Sequence, residues 1–331
     1  MSIETPSQTT IQKAASLLRE GKLVAFPTET VYGLGADATN DQAVRSIFEA
    51  KGRPSNNPLI IHVHSIEQLF DCVDISRCTE KTISHLELLG PLWPGPFSVV
   101  VPKSPNISDL VSGGGSSIAI RIPNHPVALA LLEYCQRPIA APSANPSMYV
   151  SPTTAQHVQS GLGESVSLVL DGGPCTIGIE STVLSLLEDT PIILRPGSIT
   201  REQLEETLNC SVVTKQHVDS SSGPNLSPGL LSKHYAPRTP VRFLHSLDKD
   251  ELETYKRVGV ILFDKQSHVP PNACMVRYAS TSNDVEEVAR HIFRELRLLD
   301  TENLDIIAVD ACDMSGIGLA IMDRLTRATH S

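Results

Sequence analysis

Apolar positions recur along the chain at two spacings, one typical of helices and one of buried strands. In the stretch NDQAVRSIFEA they follow the helical spacing, behind a capping residue at Asn40 or Asp41, and this helix should end near Lys51. The apolar run at residues 58–63 has its prolines in the connection and at its first residue, where a missing N–H costs least. The pattern therefore predicts a helix, a stiff turn containing Lys51 and Arg53, and a short strand.

The same reading extends to the rest of the first two thirds of the chain. Residues 9–21 have helical spacing and end in glycine, and residues 23–26 follow as a strand. Strand-like runs that mostly finish in Pro, Gly, Ser or Asn come later, namely FSVVVP, SIAIRIP, PIAAPSAN, SLVLDGG, STVLSLL and PIILRPG. Because helices separate only some of these runs, the pattern favours a mixed α/β sheet over strict βαβ winding.

The character of the chain changes near residue 215. Residues 215–240 are rich in Pro, Ser and Gly and have little periodicity, which is typical of a linker. Beyond them, VRFL, VGVILF and DIIAVDA predict short strands that alternate with helices, so we expect a small Rossmann-like parallel sheet. The predicted organisation is thus a first domain at 1–214, a linker at 215–240 and a second domain at 241–331.

Length and composition support a protein with two buried cores. The chain has 331 residues, of which 40% are hydrophobic. Its seven cysteines form an odd set without a C-x-x-C pair, so neither a disulfide framework nor a zinc knuckle is indicated, and a reducing compartment is expected. The polar start MSIETPSQTT is unlike a signal peptide, and no apolar run approaches a membrane span, so we expect a cytoplasmic protein without a membrane partner.

The net charge of −10 limits the possible partners. An acidic chain is disfavoured for tight, sequence-independent binding to a phosphate backbone. Any contact with nucleic acid should therefore be weak, local or indirect.

Several short motifs are weak when taken alone. GLGADA has the spacing of a dinucleotide loop at Gly33, Gly35 and Ala38, but the next helix starts too late, so a flexible turn is the better interpretation. No G-x-x-x-x-G-K-[ST] sequence is present, which excludes a P-loop. The glycines at 113–115 can expose backbone N–H groups to an anion, or they can form a mobile loop.

Two further candidates for chemistry also lack support. His62 and His64 fall on one strand face, but no third metal ligand has suitable spacing, so polar contacts are expected for them. Ser143 lacks the G-x-S-x-G context of a nucleophile and is better interpreted as a hydrogen-bonding serine.

Small polar and cationic residues recur at the ends of predicted strands, where open sheets bind ligands. Together with Lys51 and Arg53 they predict a cleft with about four cations and several hydroxyls, which suits a polyphosphate and a small polar substrate. These strand-end residues are Arg121, Ser143, Asn145, Ser181, Thr182 and Arg195.

A series of longer motifs resembles a known family. PTETVYGLG, KGRPSNNPLIIHV, AIRIPNHP, APSAN, ESTVL and ILRPGSI occur in the order found in YrdC-like threonylcarbamoyl-AMP synthases. SPGLLSKHYAPRTPV and GIGLAIMDRLTRA resemble the longer form of that family, which has a C-terminal domain. The resemblance implies a twisted mixed sheet with a central cleft and a linker that folds over it. LLSKHYAP departs from the more basic or aromatic approach expected before HYAP, which leaves only the detail of the linker open.

The resemblance also implies an activity and its residues. Threonine, bicarbonate and ATP, with Mg²⁺ expected, would give threonylcarbamoyl-AMP and pyrophosphate, and a separate transferase complex would pass the threonylcarbamoyl group to an adenosine beside the anticodon of tRNA. Threonine would be held by Thr30, His62, Arg121, the Ala141 backbone and Ser181. ATP would be held by Lys51, Arg53, Asn57, Ser117, Ser143, Asn145, Ser151, Arg195 and Tyr235, with Lys51 and Arg53 as the catalytic pair. The metal ligands stay unassigned.

Two other functions compete with this one. A non-catalytic RNA-binding module is disfavoured by the net charge and by an aromatic content of only 4%. A carbamoyl-transfer enzyme of the hydrogenase-maturation type resembles only the first domain, and its zinc-finger and acylphosphatase segments are not found in this sequence.

Overall fold

Two β-sheets organise the protein. The computed structural model describes residues 2–215 and 234–330, and within them it has one large mixed sheet and one small parallel sheet. The predicted fold class is confirmed by this arrangement. Most of the predicted linker, residues 216–233, lies outside the described residues.

The large sheet has eleven strands among the described residues, in the order β1-β8-β2-β3-β7-β4-β6-β5-β9-β10-β11. Parallel and antiparallel pairs alternate irregularly across it, as expected when helices connect only some of the strands. The strands are β1 (Ser2–Glu4), β2 (Val24–Phe26), β3 (Gly33–Asp37), β4 (Ile60–His62), β5 (Phe97–Pro102), β6 (Ser117–Arg121), β7 (Ile139–Ala140), β8 (Leu168–Leu170), β9 (Thr182–Ser185), β10 (Ile192–Arg195) and β11 (Val213–Thr214).

The small sheet has four parallel strands in the order β12-β15-β13-β14. They are β12 (Val241–Phe243), β13 (Val258–Leu262), β14 (Ala273–Tyr278) and β15 (Ile306–Val309). The α-helices of the described residues are α1 (Gln8–Arg19), α2 (Asp41–Lys51), α3 (Ile66–Asp71), α4 (Glu80–Leu88), α5 (Pro126–Cys135), α6 (Ala155–Leu162), α7 (Arg201–Leu208), α8 (Lys249–Thr254), α9 (Val285–Leu299) and α10 (Ile317–Thr329).

Local sequence fixes the ends of the helix that leads into the predicted site. The Asn40 side chain caps α2 by accepting hydrogen bonds from the N–H groups of Gln42 and Ala43. At the other end Gly52 adopts a left-handed conformation with φ of 59°, and the N–H of Arg53 bonds to the carbonyl of Phe48 at 3.0 Å. The helix therefore stops immediately after Lys51 and turns the chain toward β4.

The large sheet is covered by helices on both faces. Helices α1 and α5 pack together on one face, where Leu18 and Leu131 belong to a core that includes Phe26 of β2. Helix α2 packs on strands of the same sheet through Ile47, in a separate and larger core. Both faces of the sheet are thus covered by apolar side chains, so polar functional groups are expected at the ends of the strands.

The two sheets are joined by a shared apolar core. Val31 and Val150, which belong to the first part of the chain, pack in the same cluster as Phe293 and Leu296 of α9. Tyr235, just before the small sheet, is a member of this cluster as well. The second part of the chain is therefore packed directly against the strand ends of the first.

Two sequence interpretations are wrong in detail. GLGADA forms the buried strand β3 instead of a flexible turn, because its glycines let neighbours approach closely: a Cβ on Gly35 would lie 2.9 Å from the Phe26 ring. The strand β14 was not predicted, since its sequence ACMVRY has no clear alternation. No α-helix among the described residues is long and apolar enough to cross a membrane.

Gly178 tests how tightly the two parts are packed. It has a φ of +87°, and a Cβ there would lie 2.5 Å from the Ala289 carbonyl oxygen of α9. Gly173 has a similar φ of +82° but open space around its Cβ position. We expect Gly173→Ala to cost about 1–2 kcal/mol for the left-handed backbone, and Gly178→Ala to cost about 1–3 kcal/mol more, because the added methyl overpacks the contact with α9.

The measurement is the free energy of unfolding in urea for both variants, with the wild type as reference. Equal destabilisation by the two alanines would contradict close packing between this loop and α9.

Candidate functional site

A small cavity lies where the strands of the large sheet end. It is bordered by residues that follow β2 and β7, by residues of β4, by the first residue of β3, by the last residues of β6 and β10, and by residues that precede β9. Its lining comprises Thr28, Thr30, Val31, Gly33, Arg53, Ile60, His62, Arg121, Ala141, Pro142, Ser143, Glu180, Ser181, Arg195, His234 and Tyr235. Four of the six strand-end residues that the sequence singled out thus line one cavity, namely Arg121, Ser143, Ser181 and Arg195, whereas Asn145 and Thr182 are not part of the lining.

The cavity is too small for an amino acid and a nucleotide together. Its volume is about 50 Å³, whereas pockets for small molecules usually measure about 300–1,000 Å³. His234 and Tyr235 fill part of the space from the side of the small sheet. The space open in this structure is therefore too small for a nucleotide.

Arg121, at the end of β6, forms one corner of the cavity. Its Nε donates to the Gly95 carbonyl at 3.2 Å and its Nη1 donates to Thr30 Oγ1 at 2.8 Å. Its Nη2 lies 2.6 Å from Oε1 of Glu29, and both side chains are buried. The angle of this ion pair is not that of a hydrogen bond, so Nη2 and both Glu29 oxygens lack an aligned partner among the described residues.

His62, at the end of β4, is held as a neutral ring. Burial and the nearby Arg121 lower the pKa of His62 to about 3. Its Nδ1 lies 3.2 Å from the Ile60 carbonyl, and a carbonyl can only accept, so Nδ1 carries the proton. The Nε2 atom is left as a hydrogen-bond acceptor next to a cation.

The turn after α2 buries both of its cations. Arg53 donates through Nε to the Asn57 carbonyl at 3.2 Å and through Nη2 to the Pro58 carbonyl at 2.9 Å, which closes the turn over its own side chain. Lys51 donates from Nζ to the Ser143 carbonyl at 2.6 Å and also to the carbonyl of Asn145. Burial lowers the pKa of Arg53 to about 10, which still leaves it charged at neutral pH.

Lys51 is almost fully buried, with a relative exposure of only 4%. Burial and the neighbouring Arg53 lower the pKa of Lys51 well below its ordinary value, while the Glu180 carboxylate acts in the opposite direction. Both of its hydrogen bonds named here go to neutral carbonyls. The positive charge of this turn is therefore solvated by dipoles and not cancelled by a carboxylate.

Arg195, at the end of β10, is tied to the start of β9. Its Nε donates to the Ser181 carbonyl at 3.1 Å, and its Nη2 donates to Ser181 Oγ at the same distance. Ser181 Oγ also lies 2.8 Å from Ser98 Oγ. These contacts hold a guanidinium and a hydroxyl side by side on the wall of the cavity.

Tyr235 closes the cavity in a strained conformation. Its φ is +61°, which is rare for a bulky side chain and costs about 1–3 kcal/mol. Its ring stacks on Phe293 with centroids 5.6 Å apart, and the next residue, Ala236, donates its N–H to the Met148 carbonyl at 2.9 Å. Packing against the second part of the chain thus holds the tyrosine over the strand ends.

Several buried polar atoms around the cavity lack a hydrogen-bond partner among the described residues. They are Nδ2 of Asn57, Oδ1 of Asn145, Nδ1 of His234 and the hydroxyl of Tyr235. Buried polar groups are normally paired, so each of these points to a partner that arrives from outside the described residues. Their clustering at one site favours a polar ligand.

The predicted site residues fall into three groups. Those that line the cavity are Thr30, Arg53, His62, Arg121, Ala141, Ser143, Ser181, Arg195 and Tyr235. Those that contact this lining are Lys51 and Asn145 through Ser143, Asn57 through Arg53 and Ser151 through Glu180. Ser117 belongs to neither group, since it lies at the start of β6 opposite Pro102.

Sequence reasoning missed three charged residues of the site. Glu29 and Glu180 stand inside the motifs PTET and ESTV, beside residues that were selected, and their carboxylates contact Arg121 and Arg324 respectively. Arg324 lies on α10, 144 positions away from its carboxylate partner. The sequence signal for Arg324 was a charged residue on an otherwise apolar helix face, but this signal did not identify Glu180 as its partner.

The described residues do not form a ready metal cage. No group of three or more His, Cys, Asp or Glu side chains with metal-binding geometry occurs in residues 2–215 and 234–330. The two carboxylates nearest the cavity, Glu29 and Glu180, are each in contact with an arginine. A resident metal ion therefore does not fit these side chains.

Known proteins match the whole of this arrangement. Residues 16–197 match the family described as "Telomere recombination", and residues 199–329 match the family described as "Threonylcarbamoyl-AMP synthase, C-terminal domain". The threonylcarbamoyl-AMP synthase of Bacillus subtilis is 42% identical over 96% of this chain and 92% of its own length. The enzyme of the same name from Pyrococcus abyssi is 41% identical, over 96% of this chain and 94% of its own length.

A solved structure shares the fold. The crystal structure of Pyrococcus abyssi Sua5 complexed with L-threonine has a TM-score of 0.88 and 39% identity, and the match covers 99% of this chain and 96% of that one. The resemblance stated from the sequence motifs is confirmed by these matches. The chain belongs to the threonylcarbamoyl-AMP synthase family, in the long form that carries the C-terminal domain.

Proposed function

We propose that this protein makes threonylcarbamoyl-AMP and pyrophosphate from L-threonine, bicarbonate and ATP. The observation that carries the proposal is that residues of both predicted sets line one cavity, with Arg121 and Thr30 from the threonine set and Arg53 and Arg195 from the ATP set. The solved relative that was crystallised with L-threonine supports the amino-acid half. The family name supports the adenylate half.

On the amino-acid side, Arg121 would bind the α-carboxylate of threonine. A guanidinium suits a carboxylate because it offers a rigid fork of donors. The misaligned contact with Glu29 supports this role, since Nη2 still has hydrogen-bonding capacity to offer. The neutral His62 would accept a hydrogen bond from threonine at Nε2, and Ser181 and the Ala141 backbone would complete the pocket.

On the nucleotide side, Arg53 and Arg195 would contact the phosphates directly. Lys51 would contribute its charge from just behind the Ser143 and Asn145 carbonyls. Ser143, Asn57, Asn145, Ser151 and Tyr235 would supply polar contacts to the rest of the nucleotide. The unpaired atoms of Asn57, Asn145 and Tyr235 support such contacts.

The chemistry needs no nucleophile from the protein. The amine of threonine and dissolved carbon dioxide form a carbamate and release a proton. One carbamate oxygen then attacks the α-phosphorus of ATP, a new O–P bond forms, the bond to the β-phosphate oxygen breaks and pyrophosphate leaves. The protein's task is to hold two anions together and to stabilise the charge of the leaving group, which is what buried, positioned arginines do best.

We expect Mg²⁺ to arrive with ATP as part of the substrate. Mg²⁺ is commonly held by substrate phosphates and keeps much of its water. The product is a labile mixed anhydride that a downstream transferase complex would consume for tRNA modification. With a net charge of −10, the protein itself is expected to bind tRNA weakly or not at all.

The first prediction concerns the choice of amino acid. Serine keeps the carboxylate, amine and hydroxyl of threonine but lacks its methyl group, so we expect kcat/KM to fall by roughly 10- to 200-fold. Valine keeps the shape but leaves the hydroxyl's buried partner unpaired, so it should be rejected more strongly. The measurement is incorporation of labelled bicarbonate into an adenylate, together with pyrophosphate release, with ATP at a fixed concentration.

Omission of bicarbonate or of the amino acid is the control, and either omission should abolish product. Pyrophosphate release that does not depend on threonine would contradict the proposed function. Valine equal to or better than serine would contradict a pocket that reads the hydroxyl.

The second prediction concerns the phosphate contacts. Arg53→Ala should lower turnover by roughly 30- to 1,000-fold, the usual loss for one charge contact made in the transition state. Arg45→Ala is the matched control, because Arg45 is an exposed arginine on α2, the helix that precedes the turn containing Arg53, and it should leave turnover unchanged.

Steady-state kinetics with varied ATP and circular dichroism of both variants provide the measurement. Turnover that stays at the wild-type level in folded Arg53→Ala would remove this side chain from the phosphate site.

A further inference from the structure

Arg324 reaches the cavity wall from the far end of the chain. It lies on α10, is only 1% exposed, and is among the largest fully buried side chains of the described residues. Its Nε donates to Oε2 of Glu180 at 2.9 Å, and its Nη2 donates to the Pro196 carbonyl at 2.9 Å. Its Nη1 donates to the neighbouring Asp323 at 2.7 Å.

The same guanidinium also supports the tyrosine that closes the cavity. Its Cζ lies 5.3 Å from the centroid of the Tyr235 ring. One side chain of the C-terminal helix thus touches a carboxylate of the cavity lining and the aromatic ring above it. Long buried arginines are costly unless fully paired, so this placement demands an explanation beyond general packing.

Glu180 stands between Arg324 and the nucleotide side of the site. One of its oxygens accepts from Arg324, the other accepts from the hydroxyl of Ser151, and the carboxylate borders the cavity. It directly precedes Ser181, to which Arg195 is bonded. A bare carboxylate at this position would repel the phosphates of ATP, because charges in a buried site are screened less than charges in bulk water.

The ion pair also fixes the direction of one hydrogen bond. An ionised carboxylate can only accept, so the Ser151 hydroxyl must point its proton at Glu180. The Ser151 oxygen is then left as an acceptor, which suits an N–H or O–H of the nucleoside and not a phosphate oxygen. Glu180 has this effect only while its carboxylate stays in place.

We infer that Arg324 is a positioning residue for ATP, acting through Glu180. Its positive charge compensates the negative charge of Glu180 and so reduces the repulsion between Glu180 and the phosphates. It also holds the carboxylate in the position where it orients the Ser151 hydroxyl. The inference rests on the proposed function for the identity of the nucleotide. It gives the C-terminal domain a direct part in the site, in addition to its packing against Tyr235.

The test compares binding of the two substrates. Arg324→Met keeps most of the length and apolar contact of the side chain but removes its charge. We expect the Kd for ATP, measured by calorimetry, to rise about 10- to 100-fold, as for loss of one partner from a buried charge pair. The Kd for threonine should change less than about threefold, because Arg121 does not contact Glu180.

A second substitution separates this role from a merely structural one. In the double variant Arg324→Met with Glu180→Gln, the uncompensated anion is gone, so ATP affinity should recover by about tenfold relative to Arg324→Met alone. Arg290→Ala is the matched control, since that arginine also bridges the two parts of the chain, through the Thr176 carbonyl at 2.9 Å. It should leave both dissociation constants unchanged.

The possible results are distinct. Equal losses of ATP and threonine affinity, or no recovery in the double variant, would overturn the inference. If Arg324→Met does not fold, Arg324→Lys replaces it, because an ammonium group keeps the positive charge but lacks the several fixed N–H donors of a guanidinium. A smaller loss of affinity, confined to ATP, is then expected. Wild-type protein that binds ATP but shows no threonine-dependent turnover would count against the proposed function alone.

Discussion

The structure depends on keeping several cations buried at the ends of the strands. Burial, together with neighbouring cations, lowers the pKa values of Lys51, Arg53 and Arg195, so each of these groups is held at a cost. Lys51 and Arg53 are hydrogen-bonded to backbone carbonyls, whose dipoles stabilise the two charges, and Arg195 is hydrogen-bonded to the carbonyl and the hydroxyl of Ser181. A site built in this way keeps its attraction for an anion.

The other features of the site follow from that constraint. The carboxylates that come near the cations are themselves neutralised, Glu29 by Arg121 and Glu180 by Arg324. Tyr235 borders the cavity, and its strained backbone is held in place by the stacking of its ring on Phe293. The C-terminal part of the chain therefore packs over the site and also supplies Arg324, the cation that pairs with the Glu180 carboxylate.

The sequence predicted the parts of this picture that depend on local pattern. The helix before Lys51 has its cap, its apolar face and its terminal glycine within about a dozen residues, and α9 has an equally clear apolar face. GLGADA was misjudged, because the close packing that makes its glycines useful in a strand involves Phe26 and Ile139, which the local pattern does not reveal. The charge pair between Glu180 and Arg324 spans 144 positions, so periodicity and spacing could not predict it.

The central claim is that the buried cations at the strand ends bind a polyphosphate, and calorimetric titration tests it most directly. ATP, ADP and AMP are titrated in turn into the wild-type protein in the presence of threonine, at constant ionic strength and Mg²⁺. The account predicts that affinity falls by about tenfold or more for each phosphate removed, since each loses a charge-assisted contact in a site with little water. Equal affinities for the three nucleotides would show that the cation cluster does not read the phosphates and would contradict the account.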